Sequence, residues 1–152
     1  MVKNKGSRNY LQGKYEVVNV EKYKADPAKC SYRSSYELHT WEWADRTPTV
    51  LEWAVETIVV PYFDPVKNKN RRYIVDLWLK FKDRNGDIHT EIVEIKPMNQ
   101  VIQPKKGGKK ESTFLTENLT YVTNMAKWSA AKEYARLRGW NFRIITEESI
   151  FK

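Results

Sequence analysis

Three stretches of the chain, WAVETIVVPYF (53–63), RRYIVDLWLKF (71–81) and HTEIVEIKP (89–97), are dense in Val, Ile, Trp, Tyr and Phe. Asp, Asn, Gly and Pro separate them, so β-favouring runs alternate with turn formers and three consecutive strands are predicted. Upstream, Leu38, Trp41 and Ala44 or Asp45 recur at three- and four-residue spacing. That period predicts a helix beginning near Ser34 and ending before Pro48. Downstream, Leu119, Val122, Met125 or Ala126, Ala130, Tyr134 and Leu137 form a stripe along Thr116 to Arg138, and Gly139 stands where a helix needs its C′ residue. Phe142, Ile144 and Thr146 then alternate with Arg143, Ile145 and Glu147 in a fourth strand, followed by a short C-terminal piece. The predicted order is α-β-β-β-α-β, an α/β fold with a mixed sheet flanked by helices. Residues 1–29 read as a basic N-terminal arm with a short strand at Tyr15 to Val20, ended by Asp26-Pro27. Residues 30–152 read as one domain with a flexible basic loop at 97–117.

Alternation also predicts which side chains share a face across the DRNGD turn. Val75, Leu77, Leu79 and Phe81 oppose Ile74, Asp76, Trp78 and Lys80; on the next strand Val93 and Ile95 oppose Ile92, Glu94 and Lys96. A two-residue turn at Asn85-Gly86 would set Asp76 against Ile95 and Leu77 against Glu94, mixing charge into both apolar faces. A five-residue loop, Asp83 to Asp87, or an equivalent bulge, instead pairs Leu77 with Val93, Val75 with Ile95 and Asp76 with Glu94. Two carboxylates at cross-strand distance repel unless one is protonated or a cation bridges them. Lys96, two residues farther along the same face, can alternatively complete a surface ion-pair cluster.

With 27 Lys plus Arg against 19 Asp plus Glu, the net charge of +8 favours polyanionic partners, nucleic acid first. Hydrophobic residues make up 41% and aromatics 13%, enough for a packed core. One cysteine, Cys30, and two histidines, His39 and His89, leave no internal disulfide and no Cys-rich zinc site. The first twelve residues carry no apolar leader segment and no stretch approaches the ~20 apolar residues of a membrane span, so a soluble intracellular protein without membrane partners is expected. GGKKES lacks the GxxxxGK[ST] spacing of a phosphate-binding loop, and no nucleotide cofactor is expected. The six tryptophans lie on apolar stripes and are assigned to packing rather than to stacking on bases.

A helix bearing Glu37, then Asp76 on a strand, then Glu94-Ile95-Lys96 on the next resembles the PD-(D/E)xK nuclease superfamily. The runs YRSSYE, WEWAD, ETIVVPYF, RRYIVDLW, VEIKP and KWSAAKEYARLRGWNFRIITEE resemble the head-completion endonucleases of T-even-like tailed phages and, more distantly, the TnsA-type transposase endonuclease. The resemblance spans about Tyr32 to Glu148, and Val75 stands where the superfamily's proline would be. It implies a restriction-endonuclease-like core and a metal-dependent DNA endonuclease that hydrolyses phosphodiester bonds during capsid completion. It further implies Mg²⁺, with Mn²⁺ substituting, held by Asp76, Glu94, the Ile95 carbonyl and Glu37, and Lys96 orienting or activating the attacking water. Capsid, portal or neck proteins follow as partners, and the host-cell cytoplasm or the virion as the place of action. Ser34-x-x-Glu37 also has capping-box spacing, so Glu37 has a competing role, with Glu42 the alternative acid on the same helix. Arg71, Arg72, Lys105, Lys106, Lys109, Lys110 and Lys127 are the candidate DNA-backbone contacts. The reading from a different class is a noncatalytic DNA- or capsid-binding protein that keeps the nuclease fold.

Overall fold

A computed structural model describes residues 12–150 of the chain. The first helix, α1 (Ser35–Arg46), starts where the spacing predicted: the Ser34 hydroxyl accepts a hydrogen bond from the Glu37 amide at 3.1 Å. Ahead of it a short pair, β1 (Gly13–Lys14) and β2 (Ser31–Tyr32), closes the N-terminal segment on itself. That segment is not a solvated arm. Tyr15, Val17 and Tyr23 are buried in the same cluster as Trp41, Trp53, Leu77, Leu79, Val93 and Ile95. The Lys22 ammonium reaches the carbonyls of Ala44, Asp45 and Thr47, satisfying the open C-terminal end of α1. Periodicity missed this because the segment packs as irregular chain, with aromatic anchors at no regular spacing.

The apolar run predicted as one strand over 53–63 is two: β3 (Val50–Val55) and β4 (Val59–Asp64), parted at Glu56, whose φ is 55°. The run over 71–81 likewise splits into β5 (Lys69–Ile74) and β6 (Leu77–Lys82). β4 and β5 form a separate hairpin, while β3, β6, β7 (Ile88–Ile95) and β8 (Asn141–Ile145) make the main sheet in the order β3-β6-β7-β8. β8 runs parallel to β7 and the other pairings are antiparallel, so the sheet is mixed. A half-buried strand looks the same in sequence on either side of a sharp bend, which is why the breaks escaped the alternation pattern.

Of the loop and the bulge that alignment of the apolar faces allowed, the hairpin between β6 and β7 has the five-residue loop, Asp83 to Asp87: Leu77 pairs with Val93 and Lys82 with Ile88. Gly86 supplies the positive φ of 85° in that loop. The ladder ends at Leu77, so the expected pairing of Val75 with Ile95 does not form. Val75 turns to the opposite side of the sheet and joins Val60, Tyr62, Tyr73 and Ile92 beneath α2 (Glu111–Leu137).

That helix begins earlier than predicted, which shortens the basic connection to 96–110, with one 3₁₀ turn at Met98–Gln100. It ends as predicted: Gly139 and Trp140 donate to the carbonyls of Arg136 and Ala135 in a Schellman closure. Its buried face matches the predicted stripe only in part. Ala126, Ala130 and Tyr134 of the stripe pack against the cluster that Trp128, Ala131 and Ala135 form with the hairpin, whereas Leu119, Val122, Met125 and Leu137 are exposed. Two alanines let the helix approach closely, and close packing outweighs the larger apolar residues on its other side. Trp43 is likewise exposed, while Trp41, Trp53 and Trp128 are buried as expected. A short helix, α3 (Glu147–Ile150), follows β8. Among the described residues no helix is long and apolar enough to cross a membrane.

Candidate active site

The site lies where β6 begins and β7 ends. Asp76 stands one residue before the last ladder pair, Leu77 with Val93, and its Oδ2 accepts a hydrogen bond from the Ile95 amide at 2.8 Å, which sets it beside Glu94. Glu94 is 6% exposed and lies at the heart of the fold. Burial raises the proton affinity of Asp76 well above the usual carboxylate range; the neighbouring charge of Glu94 adds to this, and the Ile95 amide and Lys96 only partly offset it. Burial also raises Glu94, against the opposing pull of the Tyr73 hydroxyl, Lys96 and Lys127. The Lys96 ammonium stands 3.7 Å from Glu94 Oε1. A buried Glu94 and a half-buried Asp76 therefore share one region, and both hold protons more tightly than usual despite the nearby lysines.

Glu37 does not complete a three-acid cluster. Among the described residues no group of three His, Cys, Asp or Glu side chains is arranged to hold a metal. Its Oε1 accepts from the Arg33 amide at 2.9 Å while its own amide donates to Ser34, so the capping role prevails, reaching one residue farther back than the usual box. Burial raises its proton affinity, and its charge is felt at Asp76, so it remains an electrostatic neighbour of the pair. The donor set that fits a cation is thus hard oxygen from Asp76 and Glu94, the kind Mg²⁺ and Mn²⁺ take together with water.

Residues 47–147 match the family described as TnsA-like endonuclease N terminal. The chain belongs to this endonuclease family. It is also 38% identical over 142 residues to the head completion nuclease of Enterobacteria phage T4, covering 91% of this chain and 92% of that protein. Its function is accordingly that of a phage nuclease, and its core is restriction-endonuclease-like.

In this TnsA-like endonuclease the candidate DNA contacts fall into distinct groups. Lys127 is at the site itself: it lies 5.7 Å over the Tyr73 ring, and burial lowers its proton affinity while Glu94 raises it. Arg71 is engaged by the fully buried Asp64 at 3.1 Å, which also accepts from the Val66 and Lys67 amides in the β4–β5 turn. Arg71 thus ties the hairpin together, and Arg72 beside it is exposed. Lys105, Lys106, Lys109 and Lys110 are all exposed, but Lys106 pairs with Glu111 and Lys109 with Glu117 of α2.

Tyr73 went unassigned by sequence reasoning. Its hydroxyl donates to Glu94 Oε2. On an unbroken strand Tyr73 and Asp76, three residues apart, would face opposite sides; the break between β5 and β6 brings both to Glu94. A polar-tipped aromatic close in sequence to the acid was the only signal.

Proposed function

We propose that this endonuclease hydrolyses DNA phosphodiesters with a divalent cation, Mg²⁺ or in its place Mn²⁺, held by Asp76, Glu94 and the Ile95 carbonyl. The observation carrying the reading is the pairing of half-buried Asp76 with buried Glu94 and Lys96 at its edge, a charge arrangement that costs stability and gains purpose when a cation enters. When bound, the cation supplies positive charge at a nonbridging phosphate oxygen, where negative charge grows during hydrolysis.

The protein residues have separate tasks. The Ile95 amide fixes the Asp76 carboxylate through Oδ2. Lys96, 30% exposed, can reach both Glu94 and an incoming phosphate, orienting the attacking water and opposing the developing charge. Lys127 contributes a second fixed positive charge on the α2 side. The likeness to the T4 head completion nuclease supports action on DNA during head completion; we infer that this action takes place in the host cytoplasm, with capsid, portal or neck proteins as neighbours.

Incubating the protein with supercoiled plasmid in Mg²⁺, Mn²⁺ or EDTA tests the reading. Relaxation or linearisation that needs metal and is lost in Lys96→Met and Glu94→Gln supports it; metal-independent binding without cleavage supports the noncatalytic alternative.

The lysine connection yields a separate expectation. Replacing Lys105, Lys106, Lys109 and Lys110 together by Gln is expected to flatten the log–log salt dependence of DNA binding by about 3–4 if all four meet duplex phosphates. Lys106 and Lys109 must first leave Glu111 and Glu117, so a loss of about 2 would assign the contact to Lys105 and Lys110 alone. An unchanged slope removes the connection from the DNA interface.

A further inference from the structure

We propose that Tyr73 is a positioning residue of this site: its hydroxyl holds Glu94 Oε2 so that Oε1 is turned toward the cation and Lys96. The inference rests on the reading of Asp76 and Glu94 as metal ligands, and it extends the site to the β4–β5 hairpin, outside the main sheet.

Glu94 is carried by β7, but a glutamate side chain has enough rotatable bonds to place its carboxylate in several ways. The backbone therefore leaves open which oxygen faces the site. Tyr73 settles it. The tyrosine is 5% exposed, its ring clamped among Val60, Tyr62, Val75, Ile92 and Trp128, so the position of its hydroxyl is dictated by packed neighbours on the hairpin, β7 and α2. From there it donates to Oε2, while Oε1 is the oxygen 3.7 Å from Lys96. Lys127, 5.7 Å over the face of the same ring, bounds the tyrosine on the α2 side.

A buried tyrosine hydroxyl needs some acceptor, and a backbone carbonyl would serve packing equally well. Here the acceptor is the carboxylate that the site uses. A hydrogen bond from outside the coordination sphere that orients a ligating side chain commonly accounts for 10–100-fold in metal affinity. Arg71 and the buried Asp64 brace the far end of the hairpin, so the strand presenting Tyr73 is held at both ends: by that ion pair and, through the Val75 amide and Ile58 carbonyl at 3.0 Å, at its exit.

The test compares Tyr73→Phe with Tyr62→Phe, which removes a hydroxyl from the same apolar cluster, and with Glu94→Ala. MnCl₂ is titrated into each protein without DNA and followed by calorimetry, alongside melting curves and plasmid kinetics. Tyr73→Phe is expected to weaken Mn²⁺ binding about 10–100-fold. It should lower kcat at fixed metal, with partial recovery at raised Mn²⁺, and leave KM for DNA unchanged; Tyr62→Phe should change none of these. Parental Mn²⁺ affinity in Tyr73→Phe, with binding lost in Glu94→Ala, overturns the positioning role while the metal site stands. Equal losses of Mn²⁺ affinity in the two Tyr→Phe variants reduce Tyr73 to packing and also overturn it. Parental Mn²⁺ binding in Glu94→Ala overturns the metal assignment and this inference with it.

Discussion

Asp76→Asn is expected to lower plasmid cleavage by about 10²–10³-fold or more, the scale on which losing one preorganised electrostatic contact slows a reaction. The same variant is expected to melt no lower than the parent at neutral pH. Both effects have one cause. Asn keeps an oxygen that can accept the Ile95 amide, so the local hydrogen bond survives. It removes one of two neighbouring carboxylates whose charges oppose each other, which relieves the metal-free fold and deprives the site of its reason to bind a cation. Because burial and Glu94 raise the folded-state proton affinity of Asp76 above its unfolded value, the stabilisation linked to its proton is present at low pH. It is lost as pH rises through the folded value. The stability gap between Asp76→Asn and the parent should therefore be widest near neutrality and close toward about pH 4, the ordinary carboxylate range. Added Mn²⁺ should narrow it at neutral pH by stabilising only the parent. Melting curves over pH, with and without MnCl₂, check the sign. A parent that outmelts Asp76→Asn at every pH without metal would mean the two carboxylates are not in conflict.

Asp45→Ala is expected to destabilise the protein severely. Asp45 is fully buried at the end of α1, where its carboxylate accepts from the Tyr15 hydroxyl at 2.6 Å and from the Val18 and Asn19 amides at 2.7 and 2.9 Å. Burial alone would raise its proton affinity, but those three donors together outweigh it and hold the group below the usual carboxylate range. Removing the acceptor strands three buried or half-buried donors at about 1–3 kcal/mol each. That is a large part of the ~5–15 kcal/mol by which a domain is stable. Denaturant titration should show the loss, and a cost under about 1 kcal/mol would mean that the N-terminal segment is not part of the cooperative core. The pH dependence has the opposite sign to that of Asp76. A depressed carboxylate contributes stability above the ordinary range and loses it as pH falls through the folded value.

The lysine-rich connection and the exposed half of α2 show how charge and apolarity in a sequence leave function open. Two of the four connection lysines face acidic partners on α2, a pairing that turns on where the helix begins. Leu119, Val122, Met125 and Leu137 of α2 lie outward because the face bearing Trp128, Ala131 and Ala135 packs more closely. Hydrophobic content says that a helix has something to bury, and the choice between two such faces depends on the shape of what it meets.

By itself the sequence determined the helix that carries Ser34 and Glu37, a β6–β7 hairpin closed by something other than a two-residue turn, the closure of α2 at Gly139 and the placing of Asp76 beside Glu94-Ile95-Lys96. Each follows from local rules, namely capping, period-two alternation and turn chemistry, which act over a few residues and are written in residue order. Tertiary structure alone decided that Glu37 caps rather than completes an acidic cluster, that the first strands break at Glu56 and Val75, and that Tyr15 to Tyr23 belongs to the core. It also decided that Tyr73 meets Glu94 and that Lys127 stands over the Tyr73 ring. The Glu37 cap is local, reaching only to Arg33 and Ser34. The core placement and the Tyr73 contact depend on residues twenty or more positions apart, as from Tyr73 to Glu94 and from Tyr15 to Asp45. Such contacts are selected by packing density and by the cost of leaving buried polar groups unpaired, and neither quantity exists until the chain has closed on itself.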